Sequence, residues 1–139
     1  MKNILNDTCY LIWICILLHL IADYTLQGCL ADLKQKQWWR NQIDMHRGET
    51  YEWHQKAWKK YKHDYIAGLL CHAAMWTLVT FFPLMFVTDS VTFSFIAISN
   101  IALHTAIDHM KANMHCINLC QDQLFHLIEV ITTVLIAQN

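Results

Sequence analysis

Turn-forming and charged residues are scarce in this chain. Of its 139 residues only 3 are Gly and 1 is Pro, and 15% are Asp, Glu, Lys or Arg. Such a composition excludes an ordinary soluble globule, whereas 55% hydrophobic residues and a mean hydropathy of +0.23 fit one small helical membrane domain. A disulfide framework is missing as well. Cys9, Cys15, Cys29, Cys71, Cys116 and Cys120 lie in or near apolar segments without the spacing of a small secreted scaffold, so they are read as reduced, mostly buried, small hydrophobes. Cys116 and Cys120 beside His115 offer two thiols one helical turn apart, short of a closed four-ligand zinc set. Nothing points to sequence-specific nucleic-acid binding.

What is present is four apolar stretches, 9–27, 65–87, 91–110 and 120–137, each close to the ~20 residues a membrane helix needs. The chain therefore reads as all-α, an integral membrane four-helix bundle forming a single domain over 1–139. Pro83 is expected to kink the far end of the second span. Thr88–Ser90 makes a short hairpin connection, and Lys111–Leu119 a short loop. A signal peptide competes for the first stretch, because Lys2 precedes it and Leu26-Gln27-Gly28-Cys29 loosely resembles a lipoprotein processing box. The lone Lys, the Gln in that box, and the His and Asp inside the run weigh against cleavage.

Between the first two spans, residues 28–64 are polar, rich in Lys, Arg, Trp and Tyr and poor in Gly, Pro and Ser, which is not the composition of a floppy linker. From Thr50 to His63 the pattern sets Trp53, Ala57, Trp58 and Tyr61 among cations, predicting an amphipathic helix at the headgroup level. Trp38 and Trp39 suit the same aromatic belt. Eight of the ten Lys and Arg residues fall here: Lys34, Lys36, Arg40, Arg47, Lys56, Lys59, Lys60 and Lys62. The positive-inside rule then puts this segment and Lys111 in the cytoplasm, and both termini outside. In a bacterium or its phage that membrane is the inner, cytoplasmic one.

The polar residues inside the spans converge on one depth. His19 and Asp23 close span one inwardly, His72 lies about two turns into span two, His104 and Asp108 close span three, and Asp122 and His126 open span four. A charge at the centre of a membrane helix costs about 2.5–3.5 kcal/mol even on lenient scales, so such residues need a partner or a task. Three of these pairs are spaced i, i+4, which puts both side chains on one helix face about 6 Å apart along the axis. Asn100, His104, Asp108 and Lys111 share a face of span three, Asp122, His126 and Glu129 one of span four, and Gln27 extends the first stripe.

Facing His and carboxylate residues in a helical bundle are an arrangement that holds one or two metal ions. The candidate ligands are His19, Asp23, His72, His104, Asp108, Asp122 and His126. Imidazole and carboxylate together suit zinc, or manganese or iron. Each pair alone is also explained without metal, since His and Asp can satisfy each other across helices. His46, His54, His63, His109 and His115 are expected in solvated or interfacial positions. Trp13, Trp76, Phe81, Phe82, Phe86, Phe93 and Phe95 are expected to pack or to meet lipid.

HLIADYTLQ at His19–Gln27, CHAAM at Cys71–Met75, HTAIDHMK at His104–Lys111 and DQLFH at Asp122–His126 together span most of the chain. In these motifs it resembles the bacterial and phage membrane family of the domain of unknown function 3307, which has no settled activity. Related sequences often carry a second His one turn before the position of His72, where this chain has Gly68. The placement of His and Asp at helix ends is also similar, distantly, to that of membrane-bound metal-dependent hydrolases. His46-Arg47-Gly48 echoes one of their motifs but lies in a loop.

The expected function is a membrane-embedded metal-dependent hydrolase working at the cytoplasmic leaflet on a phosphoester or similar anionic substrate. A divalent ion would activate water and polarise the scissile oxygen. Asp23 and Asp108, among the candidate ligands, would bind the ion or act as general base, Glu129 would assist catalysis and, with Gln27, support the ligands from behind, and Lys111 would steady developing negative charge. The basic aromatic segment would hold anionic lipid headgroups, and a second copy of the chain is a candidate partner. Two other classes compete: a small membrane adaptor whose basic segment recruits a partner while the polar cluster locks the bundle, and an ion or proton conduit.

Overall fold

The computed structural model describes residues 7–138, and among them there is no strand. Helix α1 (Thr8–Ile21) runs without a break into a π-helical turn, Ala22–Leu26. Three short helices follow, α2 (Leu30–Leu33), α3 (Lys36–Asp44) and α4 (Tyr51–Tyr61), then α5 (Asp64–Thr80) with a 3-10 turn at Phe82–Phe86. Two long helices complete the chain, α6 (Ser90–Ala112) and α7 (Leu119–Ala137).

Side-chain caps set the helix starts. Asp7 Oδ1 accepts from the backbone N–H of Cys9 and Tyr10, Asp89 Oδ1 does the same for Val91 and Thr92, and Asn118 forms a reciprocal capping box with Gln121. Thr50 caps α4, so the amphipathic helix predicted over Thr50–His63 forms between Tyr51 and Tyr61. Pro83 ends α5 rather than merely kinking it. Its missing N–H and fixed ring cannot continue the α-helix, and the chain turns 3-10 beyond Thr80.

Three helical stretches are long and apolar enough to cross a membrane: Thr8–Leu26, Ser90–Ala112 and Leu119–Ala137. The predicted second span is the exception, because α5 holds only 17 residues before its helix stops. Around the core, α1 packs on α5 and α7, and α6 packs on the same two helices. Leu11, Cys15, Trp76, Phe81, Leu84, Val130 and Val134 fill one end of this interior.

Beyond that end the interior mixes Leu69, Ala73 and Ile107 with polar residues, while the long helices turn large apolar side chains outward. His19, His72, His104, Asp108, Asp122 and His126 are each at most 3% exposed, whereas Trp13, Phe95 and Ile98 are 71%, 69% and 68% exposed. In water that distribution would be unstable; in a bilayer large apolar side chains need no cover and polar ones must turn inward.

Candidate metal centre

The site forms where the C-terminal end of α1, the N-terminal half of α5, the C-terminal end of α6 and the N-terminal end of α7 meet. All seven predicted ligand residues are buried. The π-helical turn carries Asp23, and π turns inside α-helices commonly occur at functional positions.

His104 lies at the centre. Its ring stacks on Trp76 and on His126, with centroids 4.1 Å and 4.2 Å away, and His72 is 5.2 Å off. His104 is fully buried, yet neither ring nitrogen has a hydrogen-bond partner. Around it, His72 Nε2 is 3.3 Å from Asp108 Oδ2 and 3.8 Å from Asp23 Oδ1, and His126 Nε2 is 3.6 Å from both Asp108 and Asp122. Glu129 faces His126 Nδ1 at 3.3 Å and His104 Nδ1 at 3.9 Å.

Two groupings bring their donor atoms close enough to share an ion, Asp23–His72–His104 and His104–Asp108–His126, all within 4.8 Å. The donors fit a divalent ion: imidazole and carboxylate are its usual ligands, and each neutral imidazole of His72, His104 and His126 has an unpartnered nitrogen whose lone pair an ion could accept.

His19 and Asp122 belong to neither grouping. The Trp76 indole N–H donates to His19 Nδ1 over 3.0 Å, so a neutral His19 carries its proton on Nε2 and presents a donor there. Asp122 is held by Lys111, whose Nζ is 2.6 Å from Oδ2. The lysine expected to steady negative charge thus neutralises a buried carboxylate and remains one-third exposed. Glu129, expected as base or support, contacts two of the imidazoles. Gln27 turns away, its amide donating to the carbonyl of Asp23 on its own helix.

Other expected positions lie outside the cluster. His46 bonds the Gln42 carbonyl, and His109 stacks on Tyr65 at 5.9 Å. Cys116, Cys120 and His115 are exposed and enter neither grouping.

Three residues join the site without having been singled out for it. Lys34, counted only as part of the inner-face charge signal, places Nζ 2.8 Å from Asp108 Oδ2. Trp76, expected to pack, both packs and fixes His19. Gln123 donates to Asp23 Oδ2 at 3.0 Å and to Asp122 Oδ2 at 3.2 Å. Its place next to Asp122, one position round the helix from the polar stripe, was the available signal; Lys34 offered none.

No protein-family model, curated protein or solved structure matches this chain. What the cluster can do must be read from its own atoms. Buried His and Asp groups that can hold a metal ion lie among helices long enough to cross a membrane.

Proposed function

We propose that this protein is a metal-dependent hydrolase embedded in the bacterial inner membrane, acting from the cytoplasmic side on a phosphoester or similar anionic substrate. In this reading α5 and its 3-10 extension complete a four-helix membrane bundle with both termini outside. The resemblance to the domain of unknown function 3307 belongs to the same proposal. The observation that carries it is His104, wholly buried with both ring nitrogens unsatisfied and flanked by two imidazole–carboxylate groupings. Leaving so many polar groups unpaired costs about 1–3 kcal/mol each, a cost that a bound cation removes.

A divalent ion held here would supply Lewis acidity toward water and the scissile oxygen. The chain's own residues supply the rest. Oε1 of Glu129 is buried and unpartnered, free to accept a proton, while its other oxygen is turned to His126. Lys111 reaches both Asp122 and the outside, so its ammonium can meet an incoming anion. An apolar groove of about 670 Å³ between α6 and α7, walled by Leu103, Ile107, Met110, Phe125 and Ile128, includes Glu129 in its lining. That volume is typical of ligand sites, and its wall suits a lipid chain.

The Lys34–Asp108 and Lys111–Asp122 pairs favour a second reading, in which the cluster only locks the helices of a membrane adaptor. The test is metal content and phosphate release by detergent-purified protein, using an anionic phospholipid and a soluble aryl phosphate as separate substrates. The hydrolase reading expects bound metal, turnover, and folded but inert His104→Ala and Asp108→Asn variants. A metal-free wild type, or an Asp108→Asn protein with full function, supports the adaptor instead.

A further inference from the structure

The carboxylates of the cluster are not equivalent. Asp23, Asp108, Asp122 and Glu129 are all buried, and two ammonium groups reach them: Lys34 at Asp108 and Lys111 at Asp122. Neither Asp23 nor Glu129 has an ammonium partner among the described residues. Asp23 has only a neutral amide, Gln123, at hydrogen-bond distance, and Glu129 has only imidazole.

Burying a carboxylate without a counter-charge is costly, and a divalent ion beside Asp23 removes that cost. The two groupings also share His104, and one imidazole nitrogen holds one ion. Its second nitrogen faces Glu129 rather than the other grouping.

Lys34 is held in place by more than its charge. The Leu33–Lys34 backbone lies directly on Gly68 of α5, where a Cβ would come within 2.5 Å of the Leu33 carbonyl oxygen and 2.9 Å of the Lys34 nitrogen. Asn113 donates to the Lys34 carbonyl at 3.0 Å, and the Trp39 indole to that of Leu33 at 2.9 Å. This strap sets an ammonium, 12% exposed, against Asp108.

We infer that the centre takes a single divalent ion, ligated by Asp23, His72 and His104, and that Lys34 neutralises Asp108, leaving Asp23 as the carboxylate that holds the ion. This rests on the metal-centre reading above and adds its stoichiometry, its ligands and the residue that fixes them.

The test is titration of detergent-purified full-length protein with Zn²⁺ and Co²⁺, following stoichiometry, affinity and the Co²⁺ absorption spectrum. Wild type should bind one ion, and Lys34→Met should bind it more tightly. Asp108→Asn, which leaves Lys34 unbalanced beside the ion, should weaken binding by about 10–100-fold, the usual effect of losing a group behind the ligands. Adding Lys34→Met to Asp108→Asn should restore wild-type affinity and spectrum, whereas Asp23→Asn should lose the ion with or without Lys34→Met.

Rescue in the double variant separates lost charge balance from lost folding. Two ions in wild type, looser binding in Lys34→Met, or a double variant as weak as Asp108→Asn overturns the inference while the metal centre stands. A wild type that binds neither ion removes the metal centre and the inference together.

Discussion

Lys34 and Asp108, 74 residues apart in sequence, meet with Nζ 2.8 Å from Oδ2 because Gly68 leaves room for the backbone that carries the lysine. Gly68→Ala is therefore expected to destabilise the protein. The new methyl would meet backbone rather than a yielding side chain, and overpacking of that kind costs roughly 1–3 kcal/mol. Thermal unfolding in detergent measures it; an unchanged midpoint would mean that the strap does not bear on α5.

Removing Lys111 should strand a buried charge. Lys111→Met leaves Asp122, 1% exposed, with the Gln123 amide and the His126 imidazole beside it but no lysine. Losing one partner of a fully buried pair costs about 3–5 kcal/mol; water reaching the one-third-exposed lysine should reduce this to about 1–2 kcal/mol. Lys111→Met combined with Asp122→Asn should recover most of the loss. Equal stability of the single and double variants would contradict the pairing.

Trp76 holds His19 through one hydrogen bond and His104 through stacking. Trp76→Phe retains an aromatic face but removes the indole N–H, leaving His19 Nδ1 buried and unpartnered. The expected loss is about 1–3 kcal/mol in unfolding free energy. No change on chemical denaturation would show that water replaces the indole.

The apolar exterior also makes a prediction. Ile98, on α6, is 68% exposed, and a surface substitution at such a site in a water-soluble protein changes stability by only about ±0.5 kcal/mol. Ile98→Lys in a membrane helix instead costs about 2.5–3.5 kcal/mol at the bilayer centre. A membrane-insertion assay with reporter tags should show sharply reduced integration of α6. Undiminished integration would place that face away from lipid.

Much of the site was legible because the chemistry leaves polar groups in apolar runs few options. His104 and Asp108, four residues apart on α6, had to share a face, and neither could be left in hydrocarbon without cost. The same argument paired Asp122 with His126, and His19 with Asp23. Where a helix would stop was only half legible. Pro83 marked trouble at the far end of the second span, but α5 gives way at Thr80, ahead of the proline.

The sequence by itself determined three membrane-length helices and the amphipathic α4, the apolar outer faces and the inward stripes of imidazole and carboxylate, since helical period and the cost of exposing charge to an apolar phase are local properties of the chain. Only the tertiary structure decided which carboxylates are neutralised and which remain free to bind a cation. Lys34 reaches Asp108, and Trp76 reaches His19, because separate helices bring them within hydrogen-bond range, and a contact across dozens of residues depends on how backbones pack rather than on any spacing along the chain.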